Sequence, residues 1–215
     1  MKKFLKRFII SASFLTLFSV WSYLLTVIDV KAIGPEGSAV GFATLNSFFH
    51  SLTGVNMALY TTTDWLGLVP VFVGFGFAFL GLYQWIKRKN ILKVDFSILA
   101  LGIFYLLVLS AYLFFEEFVI NYRPTLINGY LEASYPSSTT TLVMCVMITS
   151  IMQFNSRIKN IKVRKALTLV IISFTMFMVI GRLISGVHWL SDIIGGALLS
   201  LGLISLYYAI IKLKK

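Results

Sequence analysis

The sequence predicts an all-α protein, a bundle of six transmembrane helices, and three observations predict it. Apolar runs recur that match the ~20 residues needed to cross a bilayer as helix. The chain is 58% hydrophobic and only 13% charged, with a mean hydropathy of +0.88, whereas soluble domains are about a quarter charged. The Lys and Arg residues gather in short clusters after alternate apolar runs, the pattern that orients a polytopic protein.

The first run spans about Phe8 to Val30, behind Lys2, Lys3, Lys6 and Arg7. A secretory signal has an apolar region of only about 7–15 residues, so this longer run reads as an uncleaved anchor. The second runs from about Leu66 to Ile86 and stops at Lys87-Arg88-Lys89. The third covers about Phe96 to Phe115, and the fourth, shorter, about Thr139 to Phe154. Arg157, Lys159, Lys162, Arg164 and Lys165 then precede the fifth, about Ala166 to Ile184, and the sixth covers about Leu190 to Ile211.

With both termini cytoplasmic, sixteen of the nineteen Lys and Arg residues fall inside, leaving Lys31, Arg123 and Arg182. Asp29, Glu36, Asp64, Glu116, Glu117, Glu132 and Asp192 go to the other side. The expected organisation is one integral membrane domain over residues 1–215 in the cell membrane. A net charge of +11 would point a soluble chain towards nucleic acid. Here the charges flank apolar runs, so the expected partner is the bilayer and no nucleic acid. Cys145, alone in an apolar run, has no cysteine to pair with and reads as a buried thiol. The loop 31–65 reads as carrying a re-entrant or interfacial amphipathic helix around Val40 to Leu59.

Two of the three outer cations are arginines near a membrane boundary. A guanidinium there is costly unless paired or wetted, and its planar fork matches phosphate oxygens. Its bland role is snorkelling to lipid headgroups. The stretch from Gly181-Arg182 through Gly186, His188 and Asp192 favours the chemical role. His188 and Asp192 are four apart and, if helical, lie on one face. A carboxylate on one imidazole nitrogen leaves the other as nucleophile or base. Gly186 allows a tight turn before His188. Tyr122 and Trp189 read as an interfacial aromatic belt.

The spacing Arg182, His188, Asp192 resembles the third signature of the type 2 phosphatidic acid phosphatase and haloperoxidase superfamily. Arg123-Pro124 resembles the end of its first signature, and Tyr135-Pro136-Ser137-Ser138-Thr139 resembles its second. The resemblance implies the six-helix membrane branch of that family. It implies that His188 attacks phosphorus, forms a phosphohistidine and is oriented by Asp192. Arg123 and Arg182 would neutralise the phosphoryl oxygens. Ser137, Ser138 and Thr139 would add donors at the start of the fourth helix, where the dipole favours an anion. No metal or cofactor is implied.

Three positions depart from the pattern. Glu116 stands where the first signature has Lys, Thr139 where the second ends in the acid His, and Gly181 where the third begins, usually with Ser. General acid help is worth about 10²–10⁴-fold. The expected function is therefore dephosphorylation of a lipid phosphate or polyprenyl diphosphate at the outer leaflet. The competing readings are an impaired lipid-phosphate-binding relative (sensor, scaffold or transporter) and a lipid phosphotransferase. Glu116, Glu117 and His50 are the alternative acids, although solvated or interfacial roles suit them as well.

Overall fold

The computed structural model describes residues 2–213, with side chains from Phe4 onward. Lys214, Lys215 and the side chains of Lys2 and Lys3, which the charge pattern used, lie outside the described residues. Eight α-helices follow in chain order: α1 (Lys2–Val27), α2 (Ala43–Thr53), α3 (Met57–Leu66), α4 (Leu68–Arg88), α5 (Phe96–Glu117), α6 (Ser138–Arg157), α7 (Ile161–Ile184) and α8 (Leu190–Ile211). The six long ones, α1 and α4 to α8, are the six predicted segments, with ends shifted by a few residues. Described residues form no strand, only isolated bridges.

Five stretches are long and apolar enough to cross a membrane: Phe4–Val27, Met57–Arg88, Phe96–Glu117, Ile161–Ile184 and Leu190–Ile211. The sixth helix, α6, is more polar, for a visible reason. Thr140, Thr141, Thr149, Ser150 and Gln153 are all buried within the bundle, away from lipid. Thr149 and Ser150 donate to the carbonyls of Cys145 and Met147. Gln153 Nε2 donates to the carbonyl of Ser97 on α5 at 3.3 Å. Cys145 is buried and free, as expected.

Helix α8 packs lengthwise against α1. Ser11 Oγ donates to the carbonyl of Gly202 at 2.9 Å, and a Cβ at Gly202 would stand 2.6 Å from Leu15. Gly195 lies against the Tyr135 ring, where a Cβ would come within 2.3 Å, so the ring packs where only a glycine leaves room. At the end carrying the basic clusters, Asp95 accepts from Arg88 and Arg157 at 2.9 Å each and from Gln84 at 3.0 Å, which ties α4, α5 and α6 together.

One expectation is corrected. The segment around Val40 to Leu59 is not one helix but parts of two, α2 and α3, folded over the end of the bundle. Gly54, at φ 59° and ψ −158°, ends α2 in a conformation that a side chain resists. Asn56 then caps α3 by accepting the Leu59 N–H at 3.0 Å. The break lets α2 pack on α8 while α3 packs on α7. The α5–α6 connection makes a second excursion at this end. Arg123 N–H donates to Glu132 O, Ser134 N–H to Asn121 O, and Ile127 and Tyr130 exchange both bonds. Asn128 and Gly129, both at positive φ, make the tip, as an Asn-Gly hairpin turn requires.

Candidate active site

The site forms where α7 ends and α8 begins, beneath these two excursions. Residues 185–189 connect the two helices. Gly186 sits at φ +67°, and a Cβ there would lie 1.6 Å from the Gly54 carbonyl oxygen. The tight turn expected before His188 is present, and it is also the place where the α2–α3 break touches the connection. Asn56 N–H donates to the Ser185 carbonyl at 2.9 Å and closes that contact.

Asp192 is the third residue of α8, and its Oδ2 accepts the backbone N–H of Trp189 at 2.9 Å. A carboxylate there satisfies a donor left free at the helix start and suits the positive end of the helix dipole. Its Oδ1 accepts from Asn121 Nδ2 at 3.3 Å and from Ser191 Oγ at 3.4 Å. Asn46, from α2, braces the same turn. Its Oδ1 accepts the Ser191 N–H at 3.1 Å, and its Nδ2 donates to Ser191 Oγ at 2.9 Å. Asp192 is therefore held from three directions.

His188 is buried, with Nδ1 3.7 Å from Asp192 Oδ2 and Nε2 3.4 Å from Arg123 Nη1. A guanidinium has no acceptor, so Nε2 accepts and the proton of the neutral ring sits on Nδ1, which is on the carboxylate's side but too far from it, at 3.7 Å, to hydrogen-bond. Burial, and then the charges of Arg123 and Arg182, push the imidazole well below its ordinary pKa of 6.5. The ring is thus neutral at physiological pH, with its Nε2 lone pair turned towards the cations. Because the unfolded chain takes up this proton near pH 6.5 and the folded one does not, stability falls as pH drops below that value, by at most about 1.4 kcal/mol per pH unit. Relative to His188→Gln, the wild type should therefore lose stability as pH falls below that value, which melting curves of the two proteins across pH would show.

The two arginines are nearly sealed from solvent, Arg123 at 8% and Arg182 at 1% exposure. The Tyr60 ring from α3 lies between them, 4.7 Å from the Arg182 guanidinium carbon and 5.8 Å from that of Arg123. Arg182 donates to the Tyr60 carbonyl, Thr63 Oγ1 and Asp64 Oδ1, each at 3.4 Å. Arg123 Nε stands 3.0 Å from Glu132 Oε2, but its N–H points off that line. The Nε of each arginine is buried without a hydrogen-bond partner.

The structure thus brings Arg123, Arg182, His188 and Asp192 into one cluster at one end of the bundle. Ser137 adjoins it: its N–H donates to the Asp192 carbonyl at 3.0 Å, and its hydroxyl caps α6 by accepting the Thr140 N–H at 3.4 Å. Ser138 and Thr139 open α6. Among the described residues no hydrogen bond links their side chains to the arginine–histidine group. Glu116 and Glu117 are exposed at the end of α5. His50 packs 5.4 Å from the Trp189 ring. Trp189 departs from the aromatic-belt expectation. It is 3% exposed and donates from Nε1 to the Tyr122 carbonyl at 2.7 Å, pinning the α5–α6 excursion to the start of α8.

Sequence reasoning missed Asn46, Tyr60, Asn121 and Ser191 as parts of this site, and took Asp64 and Glu132 only as outer charges. Each reaches it from an excursion or a neighbouring turn, and no local spacing announces that.

Comparison with known proteins agrees with the resemblance read from the three signatures. The PAP2 superfamily model matches residues 113–215, which include Arg123, the Ser137 turn and the stretch from Arg182 to Asp192. The fold is similar to the crystal structure of a transmembrane PAP2-type phosphatidylglycerolphosphate phosphatase from Bacillus subtilis. That similarity has a TM-score of 0.56 at 17% identity and covers 96% of this chain and 98% of that one. No curated protein matches the chain.

Proposed function

From a PAP2 match that holds both arginines and the histidine, we propose that this membrane protein is a lipid phosphatase acting through a phosphohistidine at the outer leaflet. One observation carries the reading: a buried imidazole has a carboxylate 3.7 Å from one ring nitrogen and the Arg123 guanidinium 3.4 Å from the other, with Arg182 close by across the Tyr60 ring. Nε2 of His188 attacks phosphorus while the bond from phosphorus to the lipid-side oxygen breaks. Arg123 and Arg182 stabilise the charge gathering on the phosphoryl oxygens. Asp192 favours the imidazolium that bonding to phosphorus creates. Water then cleaves the N–P bond, releasing phosphate and restoring the histidine. The outward orientation is supported by the basic clusters at the opposite end of the bundle, and in this reading the membrane is the cell membrane.

Thr139 selects among substrates. It has no proton of suitable acidity for an alkoxide, whereas a diphosphate departs as a phosphate that needs little protonation. Polyprenyl diphosphates should therefore be turned over faster than lipid monophosphates. A phosphate-release assay across lipid phosphates and diphosphates of varied chain length tests this. Thr139→His should raise monophosphate turnover by about 10²-fold or more and diphosphate turnover much less. The same threonine favours a second reading, a relative that binds lipid phosphate without turnover. Binding without phosphate release on every lipid of the panel would decide for it. Labelled donor yielding labelled lipid in place of free phosphate would mark a phosphotransferase.

A further inference from the structure

Each buried arginine of the cluster is matched with a carboxylate that is about half in water. Glu132, with its side chain 41% exposed, stands against Arg123, and Asp64, 58% exposed, stands against Arg182. Both carboxylates come from the excursions, Glu132 from the α5–α6 connection and Asp64 from α3. Their contacts are poor for charge-assisted bonds, which normally close to about 2.7–2.9 Å. Asp64 reaches Arg182 only at 3.4 Å, and the Glu132 contact at 3.0 Å leaves the Arg123 Nε–H without an acceptor. The Arg182 Nε–H is likewise buried and unsatisfied. A phosphoryl group carries several oxygens and offers these donors what one carboxylate oxygen does not.

We propose that Asp64 and Glu132 are internal counter-anions that the substrate phosphoryl group displaces, and that they act as a charge filter. The need for a filter follows from the setting. A bilayer presents phosphodiester headgroups at very high local concentration, each with one negative charge and arginine-binding oxygens. A pair of bare guanidinium groups would fill with them. Two tethered carboxylates already neutralise that pair, so a monoanionic diester gains little by replacing them. A terminal phosphomonoester or diphosphate brings two or more charges and more acceptor oxygens, and it wins the exchange. The carboxylates leave cheaply, because half-exposed ion pairs contribute little and the side chains remain hydrated when they swing out. Discrimination here comes from an element set against the wrong ligand as well as from attraction to the right one. The filter deepens the proposed function, since it concerns the same two arginines, but its test does not need turnover.

The experiment uses the full chain in detergent micelles at mildly alkaline pH, where inorganic phosphate is a dianion. Ligand-induced thermal shifts are titrated with inorganic phosphate and with dimethyl phosphate, a diester monoanion. The wild type should respond to phosphate and scarcely to dimethyl phosphate. Asp64→Asn and Glu132→Gln should each tighten the apparent affinity for dimethyl phosphate about two- to fivefold, and the double variant more. The ratio favouring phosphate should narrow in the same order. Asp64→Glu should stay near the wild type, and Glu36→Gln, an exposed acid at the same end of the bundle, should change nothing. Weaker binding of both anions in the variants, an unchanged ratio, or a wild type that ignores phosphate would overturn the filter. A changed ratio in a protein that releases no phosphate from any lipid would keep the filter and end the hydrolase reading.

Discussion

Replacing His188 with alanine should abolish phosphate release, by at least about 10⁴-fold, the scale of loss when a nucleophile is removed from a covalent mechanism. The protein should still fold, because the imidazole's bond to Arg123 is long, at 3.4 Å. The truncated side chain leaves Asp192 its Trp189, Asn121 and Ser191 partners. Affinity for inorganic phosphate should persist, since both guanidinium groups remain. Phosphate release from the variant within tenfold of the wild type would rule out the phosphohistidine. A second signature is chemical: brief exposure of the wild type to labelled lipid phosphate, followed by alkaline quenching, should leave acid-labile label on the chain, and the variant should carry none.

Replacing Gly186 with alanine should be the most damaging single methyl in the molecule. The residue sits at φ +67°, where a side chain is strained, and the new Cβ would lie 1.6 Å from the backbone oxygen of Gly54. Backbone cannot swing aside as a flexible side chain does. The α2–α3 break would have to lift away, breaking the bond from Asn56 N–H to the Ser185 carbonyl. Tyr60 and Asp64, on the helix that begins just after the break, would retreat from Arg182. The expected cost is at least about 4 kcal/mol, the range reserved for severe local damage. Gly129 supplies the comparison. It has φ +83° but nothing within 4 Å of its notional Cβ, so Gly129→Ala should cost only the conformational penalty of about 1–2 kcal/mol. Melting temperatures of the two variants, with phosphate release measured alongside, separate crowding from backbone strain. Equal losses would mean that the contact between Gly186 and Gly54 is unimportant.

The sequence by itself determined the bundle and the local half of the site. Six long helices are legible because a bilayer demands about twenty residues of helix that satisfy their own backbone. The closeness of His188 to Asp192 is legible from their spacing, but not as a shared helix face: His188 lies in the 185–189 connection ahead of α8, and only Asp192 is on the helix. Even α6, too polar to meet the hydropathy of a span, was readable from the flanking charges and from the Ser-Ser-Thr that opens it. The tertiary structure alone decided what closes over the arginines. Asp64 and Arg182 stand 118 residues apart in sequence, and Asn46 and Ser191 stand 145 apart. No periodicity encodes such meetings. They arise because Gly54 breaks what reads as one interfacial helix into two, and the second half carries a ring and a carboxylate down onto the end of α7.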